Sequence, residues 1–374
     1  MKEIIFISHE SKLLGAPKVL LHIIKYFHSL NKYNLLVICP GEGPFKEAID
    51  SENYSVLIPA CLRNYYEHII RPGSSVIKFL KRIFDNVKLF FYFFRFFTQH
   101  KNSIVYANTS VVRYVAFPAL LSRTTLLWHV HEYSVNPLKQ RFHSFLIKHC
   151  ANRIILHSPY LVSRMKLNKQ EQRKVVFFRY PTILESQNYY QTESHQPSYD
   201  LIFAGKIGLE KGVLDLLKAI TNVVKIKKDL KVVMTGLFIE NDRELILDFM
   251  AENKLNKYIT LPGFVPDLNK YILDSKVVVL PTYRDYFPLL LLEAVILEKP
   301  VISTDVGDIS SIIAHNINGI IVAPGNIQQL TDAIIRIFDE STYNQFIIGA
   351  KKKKAKILSD RGDFQKLEQI IDNF

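Results

Sequence analysis

The chain has 374 residues, too many for one ordinary domain and enough for two, each able to bury its own core. Hydrophobic residues make up 48% and charged residues 22%, which excludes a disordered chain, while three scattered cysteines, Cys39, Cys61 and Cys150, exclude a disulfide framework and suit buried thiols in a reducing compartment. Residues 1–185 hold 26 Lys and Arg against 11 Asp and Glu, so the net charge of +13 belongs to the first half and points to an anionic partner: a phosphorylated substrate, a membrane surface or nucleic acid.

The opening MKEIIFISHE lacks the apolar core and cleavage site of a signal peptide, so a cytoplasmic location is expected. Short apolar runs at 3–8, 35–39, 55–60, 103–108, 125–130, 153–158 and 174–179 read as buried strands. Helical patterns at 17–31, 74–99, 111–122 and 137–150 lie between them, and strand-then-helix alternation implies a parallel sheet with right-handed crossovers. The stretch 183–199 is polar and without period, and reads as a linker. A second alternation follows, with strands at 200–205, 231–236, 258–263, 277–281, 300–304 and 319–324 and helices at 212–229, 240–254, 266–275, 288–298 and 326–339. The expectation is α/β: an N-terminal Rossmann-like domain over 1–183, a linker over 184–199 and a C-terminal Rossmann-like domain over 200–357. A last helix near 358–374 is expected to pack back on the first domain, and a cleft is expected where the carboxyl ends of the two sheets meet.

No run of 18 apolar residues could span a bilayer. Residues 76–97, VIKFLKRIFDNVKLFFYFFRFF, carry more aromatic residues than one buried stripe needs, with Lys78, Lys81, Arg82, Lys88 and Arg95 interspersed. A basic aromatic helix suits the interface of an anionic membrane, and the alternative is a core helix with charges on one exposed edge. Nucleic acid is not expected, because the rings stand at consecutive positions rather than as a spaced stacking platform.

Two stretches carry the chemistry. Asp285 and Glu293 stand eight positions apart, the first in a strand-to-helix loop and the second about a turn into the helix, where carboxylates can accept bonds from sugar hydroxyls. Upstream, Gly205-Lys206-Ile-Gly-Leu-Glu-Lys211-Gly212 forms the first strand-to-helix turn of the second half. Its glycines let backbone approach phosphate, and its cations suit a diphosphate.

With these motifs the chain resembles the retaining, GT-B-fold glycosyltransferases called glycosyl transferases group 1, of the bacterial polysaccharide type. Their E-x7-E pattern is matched at Phe287, Pro288, Leu289, Leu291, Leu292, Glu293, Ala294, Lys299, Pro300, Val301, Ile302 and Thr304, and their G-R-L-x-x-x-K-G at 205–212. The resemblance implies that Glu293 holds ribose, Asp285 contacts the donor sugar, Lys206 and Lys211 neutralise the leaving diphosphate, and Phe264 with Val265 walls the base. In the first half, the loop from Ser11 through Gly15 to Lys18 is similar to the family's glycine-rich loop, which meets the acceptor and the donor phosphates. Asn108 in YANTS and His131-Glu132 in WHVHEYS resemble strand-end elements of polysaccharide enzymes. There His131 aligns with the histidine beside the reacting carbon, and Asn108 and Glu132 are assigned to the acceptor side. Asp285 for Glu, Lys206 for Arg, Tyr286 and Glu298 for glycines, and Ser311 for Glu depart from the pattern.

The resulting expectation is metal-independent transfer with retention, from a UDP- or GDP-linked sugar to a lipid-linked or glycan acceptor at the inner face of the cell membrane, in surface polysaccharide synthesis. No resident cofactor is expected, since there is neither a D-x-D triple nor a His/Cys metal motif. The competing readings are a nucleotide-sugar epimerase on the same fold and an inactive glycosyltransferase-like partner. The lysines Lys351–Lys354 read as a solvated face.

Overall fold

The computed structural model describes residues 1–13, 15–51, 54–63, 76–132, 136–179, 196–359 and 362–374. The chain divides into one unit of Met1–Pro181 with Arg361–Phe374 and another of Thr182–Asp360.

The first unit is a seven-stranded sheet in the order β3-β2-β1-β4-β5-β6-β7, every pair parallel. Its strands are β1 Lys2–Ile7, β2 Tyr33–Ile38, β3 Ser55–Leu57, β4 Ile104–Asn108, β5 Thr125–Val130, β6 Arg153–Leu156 and β7 Val175–Phe177. The central strands are apolar along their length because helices cover both faces: Ile4 to Ile7, Ile104 to Ala107 and Leu126 to Trp128 are all buried. Strand order reverses between β1 and β4, so the crevice at their carboxyl ends is the topological switch point, where open α/β sheets take ligands.

The second unit repeats the plan with six strands in the order β10-β9-β8-β11-β12-β13. These are β8 Tyr199–Ala204, β9 Val232–Thr235, β10 Ile259–Gly263, β11 Ser275–Leu280, β12 Val301–Thr304 and β13 Gly319–Val322, again all parallel. Here the switch point lies between β8 and β11.

The helix Gly362–Asp372 packs within the first unit. Phe364, Leu367 and Ile371 are buried, Phe364 meets Phe178 edge-on, and Glu368 and Asp372 bond Tyr26, Lys32 and Tyr33. The stretch 111–122 is not one helix but a 3-10 turn, Ser110–Val115, followed by the helix Ala116–Ser122. Thr109 caps the turn through its hydroxyl. Residues 184–195 of the expected linker lie outside the described residues, and its last residue, Tyr199, already begins β8. Lys351–Lys354 divide rather than forming one solvated face. Lys351 and Lys352 are exposed, whereas Lys353 donates to the Ser311 carbonyl and Lys354 pairs with Glu298. Glu298 itself sits at φ +61, in the left-handed region that a glycine would occupy without strain, so its ion pair offsets the conformational cost.

Candidate functional site

The turn after β8 and the loop after β11 build one site of the second unit. The turn is a 3-10 helix, Leu209–Lys211, running through Gly212 into the helix Val213–Ile226. Gly212 has φ +70, and a Cβ there would lie 1.9 Å from the Pro281 carbonyl oxygen. On the opposite side of the same loop, Gly307 at φ +60 leaves no more room, its Cβ falling 2.0 Å from the Asp285 carbonyl oxygen. The loop 281–286 is therefore pressed between two glycine backbones that tolerate no side chain. Tyr283 N donates to the Glu210 carbonyl at 3.0 Å, Thr282 Oγ1 donates to the Arg284 carbonyl, and Asp242 holds Leu209 N from the far side.

This clamp brings Lys211 Nζ to 2.6 Å from Asp285 Oδ2, with both side chains only partly exposed. Lys206 is exposed, as is Gly205. Glu293, on the first turns of the helix Leu289–Ile296, is buried and 4% exposed. Phe287 and Pro288 are buried at the helix start, Leu289 is half-buried, and Phe264 beyond β10 is about half exposed with Val265 beside it. Ser311 is exposed and its hydroxyl donates to the Asp308 carbonyl, so it supplies no carboxylate equivalent.

The first unit's candidates gather at its own switch point. Gly15, at φ +50, is the exposed N-cap of the helix Ala16–Ser29. Asn108, the last residue of β4, donates through Nδ2 to the Ala16 carbonyl at 3.0 Å, and its Oδ1 lies 2.7 Å from His131 Nε2. Expected on the acceptor side, Asn108 is fully buried, with its amide bonded to the Ala16 carbonyl and to His131. Glu132 is exposed. Behind His131 stand three groups that inspection of the sequence did not single out: Tyr106 on β4, His129 on β5 and His157 after β6. His157 Nε2 is 2.8 Å from His131 Nδ1, and Tyr106 Oη is 2.7 Å from His129 Nδ1. The His129 and His131 rings lie 3.9 Å apart, centroid to centroid. Burial pushes all three imidazoles down, His157 to about 4, and the neighbouring rings add to the effect on His131 and His129. Nitrogens of the three rings lie within 4.8 Å of one another, but those of His131 and His157 are already committed to bonds, so the cluster is a hydrogen-bond chain before it is a ligand set. The signal was present: both β5 and β6 run into histidine at their carboxyl ends.

A 690 Å3 cavity lined by Lys2, Glu3, His100 and Thr125 opens at the amino ends of β1 and β5, the wrong end of the sheet for a switch-point ligand. Among the described residues, no helix is long and apolar enough to cross a membrane.

Residues 189–353 match the family model described as Glycosyl transferases group 1, a stretch that includes every candidate from Gly205 to Glu293. An "Uncharacterized glycosyltransferase MJ1607" of Methanocaldococcus jannaschii is 26% identical over 155 residues, covering 41% of this chain and 39% of that protein. The capsular polysaccharide biosynthesis glycosyltransferase CapM of Staphylococcus aureus is 22% identical over 173 residues, 46% of this chain and 45% of its own. The chain thus spans less than half the length of these curated relatives. The structure of Anabaena Alr3699/HepE in complex with UDP and glucose superimposes with a TM-score of 0.77 at 17% identity, over 100% of both chains. With two parallel Rossmann-like sheets, the fold is that of the GT-B class.

Proposed function

We propose that the chain is a glycosyltransferase that moves a sugar from a nucleoside diphosphate, a UDP-linked donor in the first instance, to a lipid-linked or glycan acceptor during surface polysaccharide synthesis. The observation that carries this reading is the Lys211–Asp285 contact, clamped at the switch point of the unit that matches the group 1 model. Lys206 and Lys211 would neutralise the departing diphosphate and Glu293 would take the ribose, without a divalent metal. The bond from the anomeric carbon to the diphosphate oxygen breaks, the acceptor oxygen bonds to that carbon on the same face, and its proton passes to the departing phosphate oxygen. Configuration is retained, and no side chain serves as nucleophile. The domain limits given above, with the C-terminal helix returning to the first unit, are part of this reading.

The first unit supports a membrane-side role. In the helix Val76–Gln99, Leu89, Phe93 and Phe97 form the buried seam, while Ile83, Phe84, Val87 and Phe91 are exposed and Lys88 lies over the Phe84 ring. That helix packs on Ala116–Ser122, which exposes Phe117, Leu120 and Leu121, and this one packs on Pro137–Cys150, which exposes Leu138, Phe142 and Phe145. Beside them lies a cavity lined by Arg141, Lys148, Arg164 and Lys166. Exposed rings next to cations suit the headgroup region of an anionic bilayer.

Two measurements test the proposal. UDP should raise the melting temperature and UDP-sugar should be turned over with UDP release in the presence of a chelator; an epimerised donor, or neither binding nor turnover, would remove it. The combined substitution Phe84→Ser, Val87→Ser and Phe91→Ser spares the buried seam and should abolish sedimentation with phosphatidylglycerol vesicles. Unchanged sedimentation would remove the membrane role while leaving sugar transfer standing.

A further inference from the structure

The chain of bonds through His131 has an acceptor at each end, and counting its protons leads to a definite charge. At one end, His157 Nδ1 lies 2.9 Å from the Phe178 carbonyl oxygen, which can only accept, so His157 carries its proton on Nδ1. At the other end, the Ala16 carbonyl accepts from Asn108 Nδ2, which fixes the amide with Oδ1 towards His131; turning it over would set two oxygens against each other. His131 must then donate through Nε2. Those two donations use the single proton of each neutral imidazole, yet the rings still approach to 2.8 Å between His131 Nδ1 and His157 Nε2. Two bare lone pairs do not meet at that distance. Closing that link takes a third proton in the gap.

We propose that His131 and His157 form one acid–base unit that holds a single shared proton between Nδ1 of the first and Nε2 of the second, with His157 the positioning residue that sets the charge of His131 and keeps its Nε2 proton in place. With that proton bound, the pair is an imidazolium hydrogen-bonded to an imidazole, the link is closed, and His131 Nε2 is held as a donor. When the proton leaves to solvent, the two lone pairs repel, the link opens and His131 is released from its backing. Burial opposes the charge, and the groups that act on His131 electrostatically are His129, His157 and His9, all bases. The pair therefore gives up its proton more readily than an exposed histidine does. His129, its ring tilted against that of His131 at 3.9 Å and its Nε2 buried and unbonded, lies beside the charge. Tyr106 is likewise held neutral by burial. Because the two rings interact so closely, they titrate as a pair rather than as individuals.

Imidazole nitrogen spectra of 15N-histidine-labelled protein, followed from about pH 4.5 to about pH 8.5, test this without any ligand and so independently of the sugar-transfer reading. His131 and His157 should move together with one midpoint, below that of an exposed histidine, and a combined amplitude of one proton. In His157→Gln the amide can donate to His131 Nδ1, so His131 should remain neutral with its proton on Nε2 and show no step. Two separate midpoints, two rings that stay neutral across the range, or an unaltered His131 step in His157→Gln would each overturn the proposal. The unsubstituted protein decides the matter alone if the variant does not fold.

Discussion

The most discriminating perturbation of the sugar-transfer reading is Asp285→Asn, because it should improve one function while destroying another. At 2.6 Å and an effective dielectric near 20, the gross attraction between Lys211 and Asp285 is about 6 kcal/mol. Most of that is offset by desolvation, since both side chains are largely withdrawn from water, leaving on the order of 1–2 kcal/mol net. On the proposed reading, Asp285 in the unliganded protein competes for the cation that the diphosphate would need. Asp285→Asn keeps the shape of the loop, removes the competitor and should bind UDP, which carries no sugar, about 5- to 30-fold more tightly by titration calorimetry. Lys211→Met should bind it at least ~10-fold more weakly. Transfer from the UDP-sugar by Asp285→Asn should nevertheless fall by ~100-fold or more if Asp285 contacts the sugar as the proposed reading assigns. If Asp285→Asn weakened UDP binding as much as Lys211→Met does, the two side chains would be partners in binding rather than competitors, and the roles assigned to them would be wrong.

Three further outcomes follow from the packing. Gly212→Ala should cost ~2–4 kcal/mol of stability and lower UDP affinity by ~10-fold or more, because φ +70 disfavours a Cβ and the Pro281 carbonyl occupies its place; a variant of unchanged melting temperature would show that the clamp yields. Leu367→Ala, in the helix Gly362–Asp372, should cost ~2–5 kcal/mol, and it should lower the urea midpoint read by Trp128, the one tryptophan of the chain, which is buried in the first unit. An unchanged Trp128 midpoint would mean that the terminal helix contributes nothing to that core. Lys299, which donates to the Leu273 carbonyl, is pushed down to about 8 by burial. From about pH 8 to about pH 10 the unfolded chain binds a proton at this lysine that the folded chain does not, so folding stability should rise with pH there, by ~2 kcal/mol relative to Lys299→Met. Parallel pH profiles for the two proteins would refute it.

Much of this molecule is legible in its sequence, for a physical reason. Each strand of both sheets appears as a short, largely apolar run because the central strands of parallel sheets are buried on both faces, and the ends shift by up to three residues, most at β3, expected over 55–60 and formed over Ser55–Leu57. The helices Pro44–Asp50, Pro159–Met165 and Lys169–Gln172 escape the same reading, since one or two turns are too short for a 3.6-residue period to declare itself. Gly205, Lys211, Gly212 and Asp285 were legible through spacing along the chain. His157 was not, because its partnership with His131 runs across strands. That partnership becomes visible only when β4, β5 and β6 are known to be neighbours, which puts Tyr106, His129 and His157 at adjacent strand ends.

The departures from the group 1 pattern take different physical meanings once their surroundings are described. Glu298 stands in a left-handed backbone position that glycine would fill without strain, and Lys354 supplies an ion pair that offsets the cost. This change concerns the end of a helix and leaves the chemistry alone. Ser311 replaces a carboxylate with a hydroxyl turned to the Asp308 carbonyl, so any role of that carboxylate towards a ligand is lost. Asp285 is shorter than Glu by one methylene, yet it reaches Lys211 because Gly212 and Gly307 admit the loop so closely. Lengthening Asp285 to Glu without moving those glycines would therefore push the carboxylate past the lysine. The shorter acid and the tight clamp belong together, and a chain that restored one without relaxing the other should bind its donor less well than this one.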